Sequence, residues 1–177
     1  MTAPPEPGGG GGASLGRFVP PEAGPMVEVH LLRLPVLVMR ASREHHDGLM
    51  REFRLLSLSG EVAPDTVPAR LVHLTHVLGE TYGASRERRD AELDTAIASG
   101  AETVDQVEVV PAAAGEAVTR LVALLEEADE YCRQALLMTL PRAPLLRRFG
   151  DWYTGQFRDQ TTGRPPVPWD GPTVVEV

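Results

Sequence analysis

Between Val36 and Gln160 the apolar residues of this chain recur at intervals of three and four, in blocks punctuated by glycine or proline. Such intervals gather side chains on one stripe of a helix with 3.6 residues per turn, so the spacing predicts a helical body. The first stripe, Met39, His46, Leu49, Met50, Phe53 and Leu56, predicts a helix over 36–58 closed by Ser59-Gly60, glycine being free to take the left-handed conformation that ends a helix. A second helix over 68–82 carries Leu71, Leu74, Leu78 and Tyr82 and stops at Gly83; a third over 86–99 is capped by Ser85, carries Leu93 and Ile97, and stops at Gly100. The longest runs over 111–138 with Val118, Leu121, Leu125, Ala128, Cys132 and Ala135 as its seam, Pro111 suiting a first helical turn. On it, Glu116 with Arg120 and Asp129 with Arg133 stand one turn apart in the favourable acid-first order. The last helix, over 145–160, places Leu146, Phe149, Tyr153 and Phe157 on one face.

Two segments depart from the helical period. Over 26–34, Val27, Val29 and Leu31 alternate with Glu28, His30 and Leu32, and over 105–110 Val107 and Val109 oppose Glu108 and Val110. Alternation of this kind suits short strands, which can pair as a ribbon. The expected fold class is mainly α: a single helical domain of about five helices over 26–160, with room for one short two-stranded β ribbon. A disordered Gly/Pro-rich tail over 1–25 and an extended Pro-rich tail over 161–177 flank it.

Composition then removes whole classes of chemistry. All 17 basic residues are arginine, and the chain has neither lysine nor asparagine. The losses fall mainly on residues with A/T-rich codons, which points to a GC-rich genome. Schiff-base chemistry and a P-loop lysine are excluded, as are a Cys-His-Asn arrangement and an N-glycosylation acceptor. A net charge of -8 argues against nucleic acid and anionic membrane as partners. The single cysteine, Cys132, forbids an internal disulfide and points to a reducing, cytoplasmic compartment. The first 25 residues have neither the basic start nor the apolar stretch of a signal peptide, and no run approaches the ~20 apolar residues of a bilayer span. No motif calls for a cofactor.

Three groups of residues compete with structural readings. In Glu44-His45-His46-Asp47 the residue types suit metal binding or proton transfer, but adjacent side chains on a helix diverge by ~100°, and the bland reading places His46 on the core seam. His73, His76 and Glu80 fall within ~60° of one another on one helix, an open metal site on paper that His45, His46 or His30 could complete. That arrangement defines the alternative function, a metal-binding helical bundle. The bland reading makes these histidines ordinary boundary residues. Cys132 follows the acidic run Glu126, Glu127, Asp129 and Glu130, which with burial disfavours a thiolate and predicts a core cysteine. The run itself reads as a solvated helix face. Trp152, Tyr153, Phe157 and Trp169 read either as packing that pins the tail or, with nearby arginines, as a docking surface.

Three stretches carry a resemblance: Glu44-His45-His46-Asp47-Gly48-Leu49-Met50-Arg51-Glu52-Phe53; Glu127-Ala128-Asp129-Glu130-Tyr131-Cys132-Arg133 followed by 136–141; and Trp152-Tyr153 with 166–169. In these the chain resembles a family of small uncharacterised actinobacterial proteins encoded beside STAS-domain anti-sigma antagonists, ATP-binding anti-sigma factors and their phosphatases. The resemblance covers most of 26–170. It implies an accessory role in a sigma-factor partner-switching system and brings no catalytic residues. The chain does not resemble the ATP-binding anti-sigma factor itself, which relies on a magnesium-holding asparagine, nor a STAS domain with its phosphorylatable serine. The expected function is a non-catalytic regulatory protein that binds another protein, through His45 and Arg51 and through Trp152, Tyr153 and Phe157. Self-association through the same apolar face is the further expectation.

Overall fold

The computed structural model describes residues 24–58, 67–134 and 138–175, with the side chains of 57–58, 67–68, 74 and 77–88 outside that description. Its elements run β1 (Met26–Pro35), α1 (Val36–Leu58), α2 (Val67–Ala98), β2 (Thr103–Pro111), α3 (Ala114–Arg133) and α4 (Pro144–Gln160). The fold is mainly α with one two-stranded antiparallel ribbon. Among the described residues no helix is long and apolar enough to cross a membrane. The expected stop at Ser59-Gly60, the stripe side chains of Leu74, Leu78 and Tyr82, and Ala135 lie outside the described residues.

Three boundaries differ from expectation, one of them the end of the long helix, which stops at Arg133 with Gln134 as its cap and does not include Met138. The helices expected over 68–82 and 86–99 are one continuous α2 that passes through Gly83 and Ser85. A single glycine inside a helix costs about 1 kcal/mol, which neighbouring turns and packing can offset. Pro111 is the last residue of β2, opposite Met26, rather than the first of a helix, and the Ala112 N–H continues the ribbon by donating to the Pro25 carbonyl at 2.9 Å. α3 therefore begins at Ala114.

β1 buries Val29, Leu31 and Leu34. Positions 31 and 34 would fall on opposite faces of a regular strand. A bulge between Leu31 and Leu34 resets the phase, with Arg33 at φ 57° and its N–H donating to Asp105 Oδ1 at 2.7 Å. β2 alternates as expected, with Val107 and Val109 facing outward and Gln106 and Glu108 buried. Glu108 is tolerated there because Arg89 of α2 donates to its Oε2 at 2.8 Å.

α1 and α2 are antiparallel neighbours, since Arg43 pairs with Asp90 near one end while Thr75 Oγ1 donates to Met50 Sδ at 3.9 Å farther along. The buried apolar residues form three clusters. Leu34, Val36, Met39, Leu93, Phe149 and Trp169 build one. Leu49, Met50, Phe53, Leu71, Ala128 and Cys132 build the second. Val29, Leu31, Val110, Ala114 and Phe157 join the ribbon to α3 and α4.

The segment after Thr161 is extended and docks along the body. The Trp169 N–H donates to the Leu32 carbonyl that the bulge presents, at 3.0 Å, and its indole is 1% exposed. Val167 is held at both backbone groups: its N–H donates to Gln156 Oε1 at 2.9 Å, and its carbonyl accepts from Trp152 Nε1 at 2.8 Å. Arg148 pairs with Asp170 and lies 5.3 Å from the Trp169 ring centroid.

Candidate functional site

The first and second clusters do not close on each other. Between them lies a cleft of about 280 Å³, walled by α1, α3 and α4 and roofed by Arg89 of α2. Its apolar lining is Met39, Leu49, Leu121, Leu125, Leu146 and Phe149. Its polar groups are fewer and each is placed by a different element.

His45 comes from α1. Its Nε2 is buried and has no hydrogen-bond partner among the described residues. Burial holds the imidazole below its ordinary pKa of 6.5, with Arg142 acting in the same direction and Asp129 against it. The ring is therefore neutral at pH 7.

Asp129 comes from α3 and is 4% exposed. Arg142, just before α4, grips it three times: the backbone N–H at 3.1 Å, Nε at 2.9 Å and Nη2 at 2.8 Å. A parallel contact holds the start of this segment, where Glu52 of α1 accepts the amides of Met138 and Thr139, the latter at 2.9 Å. Burial works to raise the Glu52 pKa, but hydrogen bonds from the Thr139 side chain and these two amides override it and leave it below the ordinary carboxylate range. Gly150 leaves room for the Arg142 guanidinium, whose Nη1 would stand 3.3 Å from a β-carbon there.

Asp129, Arg89 and Arg142 are the site residues that sequence reasoning missed. The expected pair with Arg133 does not form, because Asp129 turns inward; Arg133 pairs instead with Glu130 at 2.7 Å. A signal for this was present in the spacing, since Asp129 stands four residues after Leu125 and three before Cys132, in phase with the seam. The other expected pair, Glu116 with Arg120, forms at 2.6 Å. Cys132 is buried, and burial together with Asp129 and Glu52 raises its pKa, so the thiol stays protonated.

The remaining candidates scatter. His73 and His76 are exposed, because α2 turns Leu71 and Thr75 toward α1 and residues two and five positions past Leu71 point away. The side chain of Glu80 lies outside the described residues. Among the described residues no three His, Cys, Asp or Glu side chains converge as a metal site. His30 belongs to the ribbon, where its backbone N–H and carbonyl exchange hydrogen bonds with the Gln160 side chain at 2.8 and 2.9 Å. Glu44 pairs with Arg40 at 3.7 Å on the surface of α1.

No protein-family model, curated protein or solved structure matches the chain.

The aromatic face of α4 is occupied by the protein itself. Phe149 contacts Trp152, Tyr153 and Trp169 with ring centroids 5.7 to 5.9 Å apart, and Phe157 is 8% exposed within the ribbon cluster. Trp152 and Tyr153 are half-buried. The open polar face is elsewhere. α1 and α2 border a groove of about 410 Å³ in which Arg51, Arg54 and Leu55 are exposed beside Met50 and Thr75, with Leu55 61% exposed.

Proposed function

We propose that this chain is a non-catalytic, cytoplasmic regulatory protein that binds another protein through the groove between α1 and α2. The observation that carries the reading is the grouping of two exposed guanidinium groups, Arg51 and Arg54, around the exposed Leu55. Arginine is enriched among interface hot spots, and the exposed Leu55 adds apolar area beside the two guanidinium groups. It suits a partner that presents carboxylates around an apolar knob. Arg51 was the contact expected from sequence on this face, whereas Trp152, Tyr153 and Phe157 are used in packing the tail and ribbon.

The resemblance in 44–53 and 127–133 makes the partner a member of a sigma-factor partner-switching system: a STAS-domain protein, an anti-sigma factor or a phosphatase. The test is titration calorimetry of the full chain against a purified representative of each. One of the three binds, and Arg51→Glu weakens that binding at least about tenfold, or 1.4 kcal/mol. Absence of binding to all three at about 50 µM, some 6 kcal/mol of affinity, would end this reading.

A further inference from the structure

The cleft between the first two clusters is independent of the α1–α2 groove, and its chemistry points to a different kind of ligand. We propose that it is a binding site for a compact apolar monocarboxylic acid, the carboxylate taken by His45 and Arg89 and the apolar body by the leucines and Phe149.

His45 and Arg89 both line the cleft, and one nitrogen of each, His45 Nε2 and Arg89 Nε, is buried without a hydrogen-bond partner among the described residues. Buried polar atoms are normally satisfied, so an unmet pair on side chains that line one cavity marks a place where an acceptor belongs. Both can donate, and a carboxylate offers two acceptor oxygens. Charge agrees. Arg43, Arg89 and Arg142 line the cleft against a single carboxylate, Asp129. Asp90 and Glu108, which pair with Arg43 and Arg89, stand outside the lining, and Asp129 is committed to Arg142. The lining thus carries three guanidinium groups, each ion-paired, and one carboxylate, in a chain whose net charge is -8.

Size sets the rest of the ligand. The volume of about 280 Å³ is roughly twice that of the ~150 Å³ cavity that accepts benzene, which suits an acid of about a dozen non-hydrogen atoms with one ring or a short branched chain. Six apolar side chains surround it.

Proton uptake follows from the same arrangement. His45 is faced by Arg43 and His46 of its own helix, Arg89 of α2, Asp129 of α3, Arg142 before α4 and Tyr153 of α4. An added carboxylate favours the imidazolium, so binding draws a proton onto His45 and affinity rises as pH falls from 8 toward 6.5, where free His45 is neutral.

The experiment titrates the full chain with phenylacetate, phenylacetamide and isobutylbenzene, three probes of similar shape that differ in the head group. Calorimetry is run in two buffers of different ionisation enthalpy. Phenylacetate should bind at least tenfold more tightly than either neutral probe, with proton uptake. His45→Leu should remove that preference while its melting curve stays cooperative, because the deleted ring is neutral and makes no hydrogen bond through Nε2. Leu125→Phe, which fills the cleft with an apolar side chain, should abolish binding of all three probes. Equal affinity for the acid and the amide overturns the carboxylate assignment. So does a preference that survives in folded His45→Leu, and no binding of any probe at millimolar concentration overturns the site itself. None of these outcomes bears on capture of a protein partner by the α1–α2 groove.

Discussion

Asp129 shows how one side chain can stand in for a whole connection. Its carboxylate receives two hydrogen bonds from Arg142, from the backbone N–H and Nε, with Nη2 in ion-pair contact, and so fixes the chain entering α4 against α3. Removing one partner of a buried ion pair strands the other, at a cost of about 3–5 kcal/mol. Asp129→Ala should therefore lower stability in urea by about 3 kcal/mol. Glu130→Ala, which breaks only exposed contacts, the pair with Arg133 and the hydrogen bond from Gln134 Nε2, should change it by less than about 0.5 kcal/mol. Equal effects would contradict the assignment of Asp129 to the interior. His45 carries a different signature. Its pKa is lowered on folding, so the unfolded chain binds the proton more readily and the associated stability is present above pH 6.5 and is lost as pH falls through the folded-state value. His45→Leu should flatten the acid limb of the stability profile below pH 6.5 without altering the profile between pH 7 and 8. An unchanged acid limb would place the titration elsewhere.

At the scale of elements, the bulge in β1 does two jobs. It brings Leu34 back to the buried face and presents the Leu32 carbonyl to the tail. Arg33 holds a left-handed conformation that glycine adopts without cost. Arg33→Gly should preserve the bulge and raise the melting temperature, by an amount corresponding to about 0.5–1 kcal/mol; a fall would show that the Arg33 side chain itself supports the ribbon. The tail is held mainly by Trp169. Trp169→Ala should cost about 3–5 kcal/mol and release the amide protons of Val167 and Trp169 to hydrogen exchange, both being protected in the parent by the bonds to Gln156 and Leu32. Rapid exchange at both positions in the parent would contradict the docking.

Over the whole molecule, what the sequence made legible was periodicity. The extents of α1 and α4 and the two strands of the ribbon follow from spacings of three, four and two, because those periods report directly which side a residue faces. Phase alone does not say which side is buried, so the inward turn of Gln106 and Glu108 was hidden: it depends on Arg89, a contact between α2 and β2 set only by tertiary packing. Gly83 read as a stop because the chain before it carries no information on whether packing will carry a helix past a weak residue. The site was less legible than the fold. Its polar groups come from α1, α2, α3 and the approach to α4, so no local motif joins His45, Arg89, Asp129 and Arg142. α1 lies between two sites, with His45 in the cleft and Arg51 in the groove. The central functional claim is that protein partners meet the groove and not the aromatic face of α4. It is tested most directly by hydrogen–deuterium exchange of the full chain, alone and with each partner-switching protein in turn. The expected result is added protection confined to residues 46–55 and 70–76, with α4 unchanged; protection centred on 149–157, or none with any of the three, would contradict it.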